Sequence, residues 1–232
     1  LEWSHALYNF IPNLKFIVSF EMNKIIDNYN AWANRYDEAS NPTSELDKIV
    51  LKQSLSSIDF FKVLELGCGT GKNTEWLITK ADSLIGLDFS KNMLDIAKNK
   101  IQSDKVAFIE TDLNEDWPVK SESFDLAVIS LTLEHIKKLD HIFISLFEKL
   151  KKGGTCIIFF DVWKISHLKE MMERAKFKQF RLIEWVKSNP VPLNSSRNYL
   201  TNCREVAVLG VKVGKPTFNS EYDNGIYGVG FP

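Results

Sequence analysis

Seven short runs of β-branched and large apolar residues, separated by stretches with helical spacing, constrain this chain more than any other feature. They fall at 61–66, 83–87, 106–110, 124–129, 155–160, 180–187 and 205–213. Short apolar runs alternating with helical patterns are the mark of βαβ units, because parallel strands need a crossover helix and bury both faces. Helices are predicted at 72–80, 91–102, 137–151 and 165–176. Ser90 stands where a helix N-cap belongs, and Gly153 and Gly154 follow a predicted helix end rich in Lys149, Lys151 and Lys152. The reading is an α/β chain with a doubly wound, seven-stranded, mainly parallel sheet and helices on both faces.

Ahead of the sheet, residues 23–38 read as an amphipathic helix, and Asn41-Pro42-Thr43-Ser44 breaks it before a second helix to about residue 54. Tyr29, Trp32, Ala33 and Tyr36 share one helical face, which suits either a lid over a ligand or a plain core stripe. Residues 1–21 are read as an extension, 22–215 as one domain whose residues 22–56 are lid helices, and 216–232, rich in Gly, Asn and Tyr, as a loosely held tail. The stretch 189–196 carries the strongest loop signal inside the domain.

Composition excludes several classes. The opening 20 residues are interrupted by Glu2, His5, Pro12 and Lys15, and resemble neither a membrane span nor a secretory leader. Cys68, Cys156 and Cys203 offer no paired spacing and no His partner, so neither a disulfide framework nor a metal site is expected, and the expected compartment is the cytoplasm. Net charge is −1, but residues 1–148 hold 15 Lys and Arg against 23 Asp and Glu, while 149–232 hold 14 against 7. A basic second part suits either a solvated helix face or an anionic partner.

The chemistry concentrates at the first strand. Val63-Leu64-Glu65-Leu66 runs into Gly67-Cys68-Gly69-Thr70-Gly71 and then a helix, a context in which glycines let backbone approach a ligand and the helix start favours an anion. The second strand ends in Asp88, placed to accept both hydroxyls of a ribose. The third ends at Glu110-Thr111-Asp112-Leu113. Three strand ends in series converge on one crevice, where open α/β sheets bind ligands.

Through these residues the chain resembles the class I S-adenosylmethionine (SAM) dependent methyltransferases, in particular the group of ubiquinone and menaquinone biosynthesis, with a Rossmann-like fold. The resemblance spans about 29–160 and rests on 63–71, Ile85 to Ser90 with Met93 and Leu94, Asp112-Leu113, Trp117-Pro118, Ser123-Phe124-Asp125-Leu126 and Leu133-Glu134-His135-Ile136. It implies that Glu65, Gly67, Cys68, Gly69 and Gly71 hold the methionine end of SAM and Asp88 the ribose. Phe89 and Met93 would flank the adenine, with Ser90 in the same set, and Asp112 with the Leu113 amide would meet its edge. Backbone at Ser130 and Leu131 would border the transferred methyl, and Tyr29 and Tyr36 would belong to a lid. S-adenosylhomocysteine would be the product and a small molecule the acceptor. His135 is the candidate general base, since imidazole titrates near neutrality. The quinone-biosynthetic relatives carry an extra acid that helps bind a metal where this chain has Leu131, so no metal is expected.

Residues 149–219 instead resemble the N4-cytosine and N6-adenine DNA methyltransferases, through Leu150 to Gly154, Asp161-Val162-Trp163, Ile183 to Pro190, Asn202 to Glu205 and Phe218-Asn219. The amine-binding motif of those enzymes is replaced by Ser130-Leu131-Thr132-Leu133, and Asn189-Pro190-Val191-Pro192 follows the wrong strand. Three rivals therefore stand beside the small-molecule reading: a nucleic-acid methyltransferase, a SAM-binding subunit without catalysis, and a nicotinamide-dependent oxidoreductase.

Overall fold

The computed structural model describes residues 12–38, 42–160, 164–187, 204–214 and 226–229. Two helices lead, α1 (Pro12–Tyr36) and α2 (Pro42–Leu55), each opening on a proline, which fits the first helical turn because its missing N–H has no partner there. The sheet then builds as β1 (Lys62–Leu66), α3 (Thr74–Leu77), β2 (Ser83–Asp88), α4 (Lys91–Lys100), β3 (Val106–Glu110) and β4 (Phe124–Ser130). A single 3-10 turn at Leu133–His135 leads to α5 (Leu139–Lys149), β5 (Leu150–Phe160), α6 (Ile165–Arg174), β6 (Lys178–Lys187), β7 (Arg204–Val211) and β8 (Ile226–Val229).

All seven expected strands form, in the order β3-β2-β1-β4-β5-β7-β6, with β8 added at the edge beside β6. Strands β1 to β5 pair in parallel, and β7 runs antiparallel between β5 and β6. Successive residues of a strand face opposite sides, and the core divides accordingly. Leu64, Leu66, Ala127, Ile129, Cys156 and Ile158 pack on one face under α5 and α6. Val63, Leu126, Val128, Ile157 and Phe159 pack on the other, under α2 and Leu77 of α3. Asp125, buried at the start of β4, accepts from the backbone N–H groups of Phe61 and Lys62 at 3.1 and 3.0 Å and pairs with Lys151, which fixes β1 against β4.

Several boundaries differ from expectation. Helix α1 begins at Pro12, inside the stretch read as an extension. The helix expected over 72–80 shrinks to the single turn of α3, continued by hydrogen-bonded turns to Ala81. The helix expected to reach residue 151 stops at Lys149, and β5 starts at Leu150. Gly153 and Gly154 are therefore strand residues rather than a helix cap. A side chain at Gly154 would meet the carbonyls of Lys151 and Phe124 at 2.9 Å. The tail contributes β8, which pairs in parallel with β6 from Glu184 to Lys187. Residues 1–11, the 189–196 loop and Cys203 lie outside the described residues.

Trp185 is the largest side chain fully enclosed in the α2-side core, its ring 5.5 Å from Phe159. Truncating such a ring removes apolar contact and leaves a cavity. Trp185→Ala is expected to lower the free energy of unfolding by about 3–5 kcal/mol, read by urea denaturation, whereas a surface change at Trp32, which is 44% exposed, stays within about 0.5 kcal/mol.

Candidate active site

Strand order reverses at β1, which lies between β2 and β4, so the loops leaving their ends diverge and open a crevice. Register brings the three ends level, with Leu66 opposite both Leu87 and Ile129. The chain turns sharply there. The N–H groups of Gly67 and Cys68 both donate to the Leu87 carbonyl, and the Gly71 N–H donates to the Cys68 carbonyl. Gly67 takes φ +68°, and a side chain there would overlap Thr132. Gly69 takes φ +53° and a side chain there would meet nothing within 4 Å, so this bend of the turn faces open space. A cleft whose empty volume, open solvent at its mouth included, is about 670 Å³ lies above it.

Asp88 joins the parts. Its Oδ2 accepts from the Gly69 N–H at 2.9 Å and its Oδ1 from the Ser90 N–H at 2.8 Å. One carboxylate thus ties the glycine turn of β1 to the start of α4. An ionised carboxylate has about four lone-pair sites, and with the Phe89 N–H acting on it beside those of Gly69 and Ser90 it still has capacity for a further donor. Burial at 6% exposure raises its pKa above the ordinary carboxylate value, while the backbone donors at Ser90 and Gly69 hold it back.

Of the residues singled out in the sequence, Tyr29, Tyr36, Glu65, Gly67, Cys68, Gly69, Asp88, Phe89, Met93, Ser130, Leu131 and His135 all line this cleft. Four do not. Gly71 faces Ile101 and Ala97 of the α4 layer. Ser90 caps α4, its Oγ accepting from the Met93 N–H. Asp112 is exposed, with its Oδ1 accepting from the backbone N–H and side-chain amide of Asn114, and Leu113 is a core residue whose carbonyl accepts from the Trp117 indole. Cys68 is fully buried and its thiol pKa is pushed well up, which suits a packing residue and not a nucleophile.

Helix α1 closes over the cleft. Tyr29 bonds His135 Nε2 at 2.8 Å and meets Phe89 edge-on at 5.5 Å. Desolvation raises the Tyr29 pKa to about 12, so the phenol stays protonated. Asn30 receives Ser90 Oγ and the Asn92 N–H, and Asp37 receives Thr70 Oγ1 and Lys100. Among the four residues of the aromatic face, Tyr29 and Tyr36 turn to the cleft, Ala33 is buried and Trp32 is exposed.

Ser44, Thr70, Lys72, Asn73 and Thr132, which sequence reasoning passes over, also line the cleft. Among the described residues Lys72 is its one Lys or Arg, bonded to Ser44 at 3.0 Å and ion-paired with Glu45 of α2. Asp47, a buried acid of α2 that accepts from Ser130 Oγ, is missed as well. A signal for Lys72 does exist, since it follows the glycine turn directly. Among the described residues no group of three His, Cys, Asp or Glu side chains is placed to hold a metal.

A family model described as a methyltransferase domain matches residues 64–158. Over that stretch the chain is similar to the class I SAM-dependent methyltransferases. Malonyl-[acyl-carrier protein] O-methyltransferase of Priestia megaterium is 27% identical over 135 residues, 56% of this chain and 48% of that one. Demethylmenaquinone methyltransferase of Leptospira interrogans is 29% identical over 161 residues, 64% of each chain. The chain spans about half the length of the first curated relatives it matches. The solved N-methyltransferase NodS of Bradyrhizobium japonicum, in complex with S-adenosylhomocysteine, aligns with a TM-score of 0.63 at 16% identity, over 82% of this chain and 97% of that one, a likeness of fold. No helix among the described residues is long and apolar enough to cross a membrane.

Glu65 is fully enclosed and bonded to Thr74 Oγ1 at 2.5 Å; burial raises its pKa to about 8. The native state therefore holds this proton more tightly than the unfolded chain, and the contribution to stability is lost as pH rises from about 4.5 through 8. Glu65→Gln is expected to gain in thermal midpoint relative to the parent chain as pH goes from about 5 to 8.5 in ligand-free protein. A constant difference across that range would show that Glu65 is not protonated in the fold.

Proposed function

We propose that the protein transfers the methyl group of SAM to an O, N or C nucleophile of a small-molecule acceptor. The observation that carries this reading is the shared hold of Asp88 on Gly69 and Ser90, which keeps a buried carboxylate with acceptor capacity to spare beside an open glycine turn, the polarity a ribose diol requires. Phe89 and Met93 supply apolar faces for adenine on the α4 side of the cleft. SAM would supply an electrophilic methyl on a sulfonium; the chain's part is to bind, orient and exclude water, with α1 as cover.

Lys72 fits the α-carboxylate of the cofactor, being the one Lys or Arg among the described residues of the cleft and sitting beyond the turn from Asp88. This orients the ligand with adenine toward Met93 and the amino-acid end toward Lys72 and Ser44. Two relatives' names give small acceptors, demethylmenaquinone and, for a Rhizobium etli enzyme, trans-aconitate, and a third gives an acyl group on a carrier protein. The basic balance of 149–232 keeps duplex DNA as the second acceptor to test.

Calorimetry with S-adenosylhomocysteine and with 5′-methylthioadenosine, which lacks the amino-acid end, tests both statements. Both compounds are expected to bind, and Lys72→Met is expected to weaken S-adenosylhomocysteine about tenfold, the worth of one charge-assisted hydrogen bond, while leaving 5′-methylthioadenosine unchanged. Equal loss for both would remove Lys72 from carboxylate binding, and failure of either to bind the parent chain would refute methyl transfer. Labelled SAM offered with small-molecule acids, quinols, amines and duplex DNA then identifies the acceptor.

A further inference from the structure

Ser130 ends β4 on the cleft wall, beside Leu131, which is held at the left-handed φ of +50°. Its hydroxyl donates to Asp47 Oδ2 at 2.9 Å. Asp47 comes from α2, 83 residues away in sequence, and is 2% exposed behind the wall. Thr132 Oγ1 donates to the Ser130 carbonyl at 2.9 Å and so fixes the backbone that carries it. A serine hydroxyl has one proton. With that proton committed to Asp47, the Ser130 oxygen can only accept from whatever stands in the cleft.

We propose that Ser130 is a catalytic residue that takes the acceptor's proton, and that Asp47 is the buried residue that positions its hydroxyl and receives the proton in turn. This rests on the methyltransferase reading. As the acceptor atom X bonds to the methyl carbon, the carbon–sulfur bond breaks with its electron pair going to sulfur. The X–H proton passes to Ser130 Oγ, and the original Ser130 proton passes to Asp47 Oδ2, from which solvent removes it between turnovers. The acceptor class follows: a hydroxyl, an enol, or a neutral primary or secondary amine, each with a lone pair to attack and an X–H proton to give. Ethers, thioethers and tertiary amines would leave the Ser130 lone pairs unmet.

The surroundings suit a base. Ser130 of β4, Glu134 of the 3-10 turn, Glu205 of β7 and Lys72 after β1 are the polar and charged groups that act on Asp47. Burial is the largest influence, the two glutamates add to it, and Ser130 and Lys72 oppose it, leaving the Asp47 carboxyl at about 7. A proton acceptor poised there works near neutral pH. His135, in the 3-10 turn after β4, has its Nε2 bonded to Tyr29.

Sinefungin tests the proposal without knowledge of the acceptor, because it carries an amine where SAM carries its sulfonium methyl and so offers N–H donors to Ser130. Its affinity relative to S-adenosylhomocysteine, measured by calorimetry from about pH 5.5 to 8.5, is expected to rise roughly tenfold as Asp47 ionises, the worth of one charge-assisted bond. Groups that meet the parts common to both ligands, Glu65 and Asp88 among them, cancel in the ratio. Asp47→Asn, nearly isosteric with the protonated acid, is expected to bind S-adenosylhomocysteine and give a flat ratio; Ser130→Ala is expected to do the same, while His135→Asn keeps the rise. A flat ratio in the parent chain, or a rise that survives both Asp47→Asn and Ser130→Ala, would overturn the relay. A rise abolished only by His135→Asn would transfer the role to His135. Binding of neither ligand would refute the methyltransferase reading as well.

Discussion

The site depends on one buried carboxylate. Asp88 at the end of β2 takes an N–H from Gly69 in the neighbouring turn and another from Ser90 at the start of α4. Burial to 6% exposure disfavours its charge, and the backbone donors at Ser90, Gly69 and Phe89 offset part of that cost. Because Gly69 has no side chain between its backbone and the cleft, the same carboxylate that holds the turn also lines the cleft. Under the proposed function structure and binding are carried by one group, and a change at Asp88 disturbs both.

Around that anchor the cleft gathers more burial of acids than stability alone would favour. Glu65 and Asp47 are both enclosed, both raised toward or past neutrality, and each is bonded to a hydroxyl, from Thr74 and Ser130 respectively. Enclosed carboxyls of this kind concentrate at functional sites, where strain against local preference is offset elsewhere in the fold. The offset here is visible in the two apolar layers, which enclose strands β1, β4 and β5 from both faces. Helix α1 completes the site, with Asn30 and Asp37 pinning it at two points while Tyr29 reaches His135 between α4 and the 3-10 turn.

What the sequence reveals tracks how local the cause is. The strands are legible because the parallel arrangement buries both faces, so that Leu126, Ala127, Val128 and Ile129 of β4 form one unbroken apolar run, and the glycine turn is legible because only glycine suits position 67 against Thr132. The end of α5 is misread because Lys149, Lys151 and two glycines imitate a helix terminus, whereas pairing of Leu150 with Phe124 of β4 starts the strand there. Strand β8 is illegible in a glycine-rich stretch, since its pairing is set by the open edge of β6 and not by its own propensity. Asp47 is a lone acid in an ordinary amphipathic helix. Only the fold, by setting α2 behind the end of β4, gives it a partner.

The central claim is that Asp88 grips the adenosyl ligand as well as the turn. A structure with S-adenosylhomocysteine bound tests it most directly: both ribose hydroxyls should lie within hydrogen-bond distance of the Asp88 oxygens, with the Gly69 bond retained. A ribose lying elsewhere, or an Asp88 carboxylate turned away from the cleft, would contradict the account.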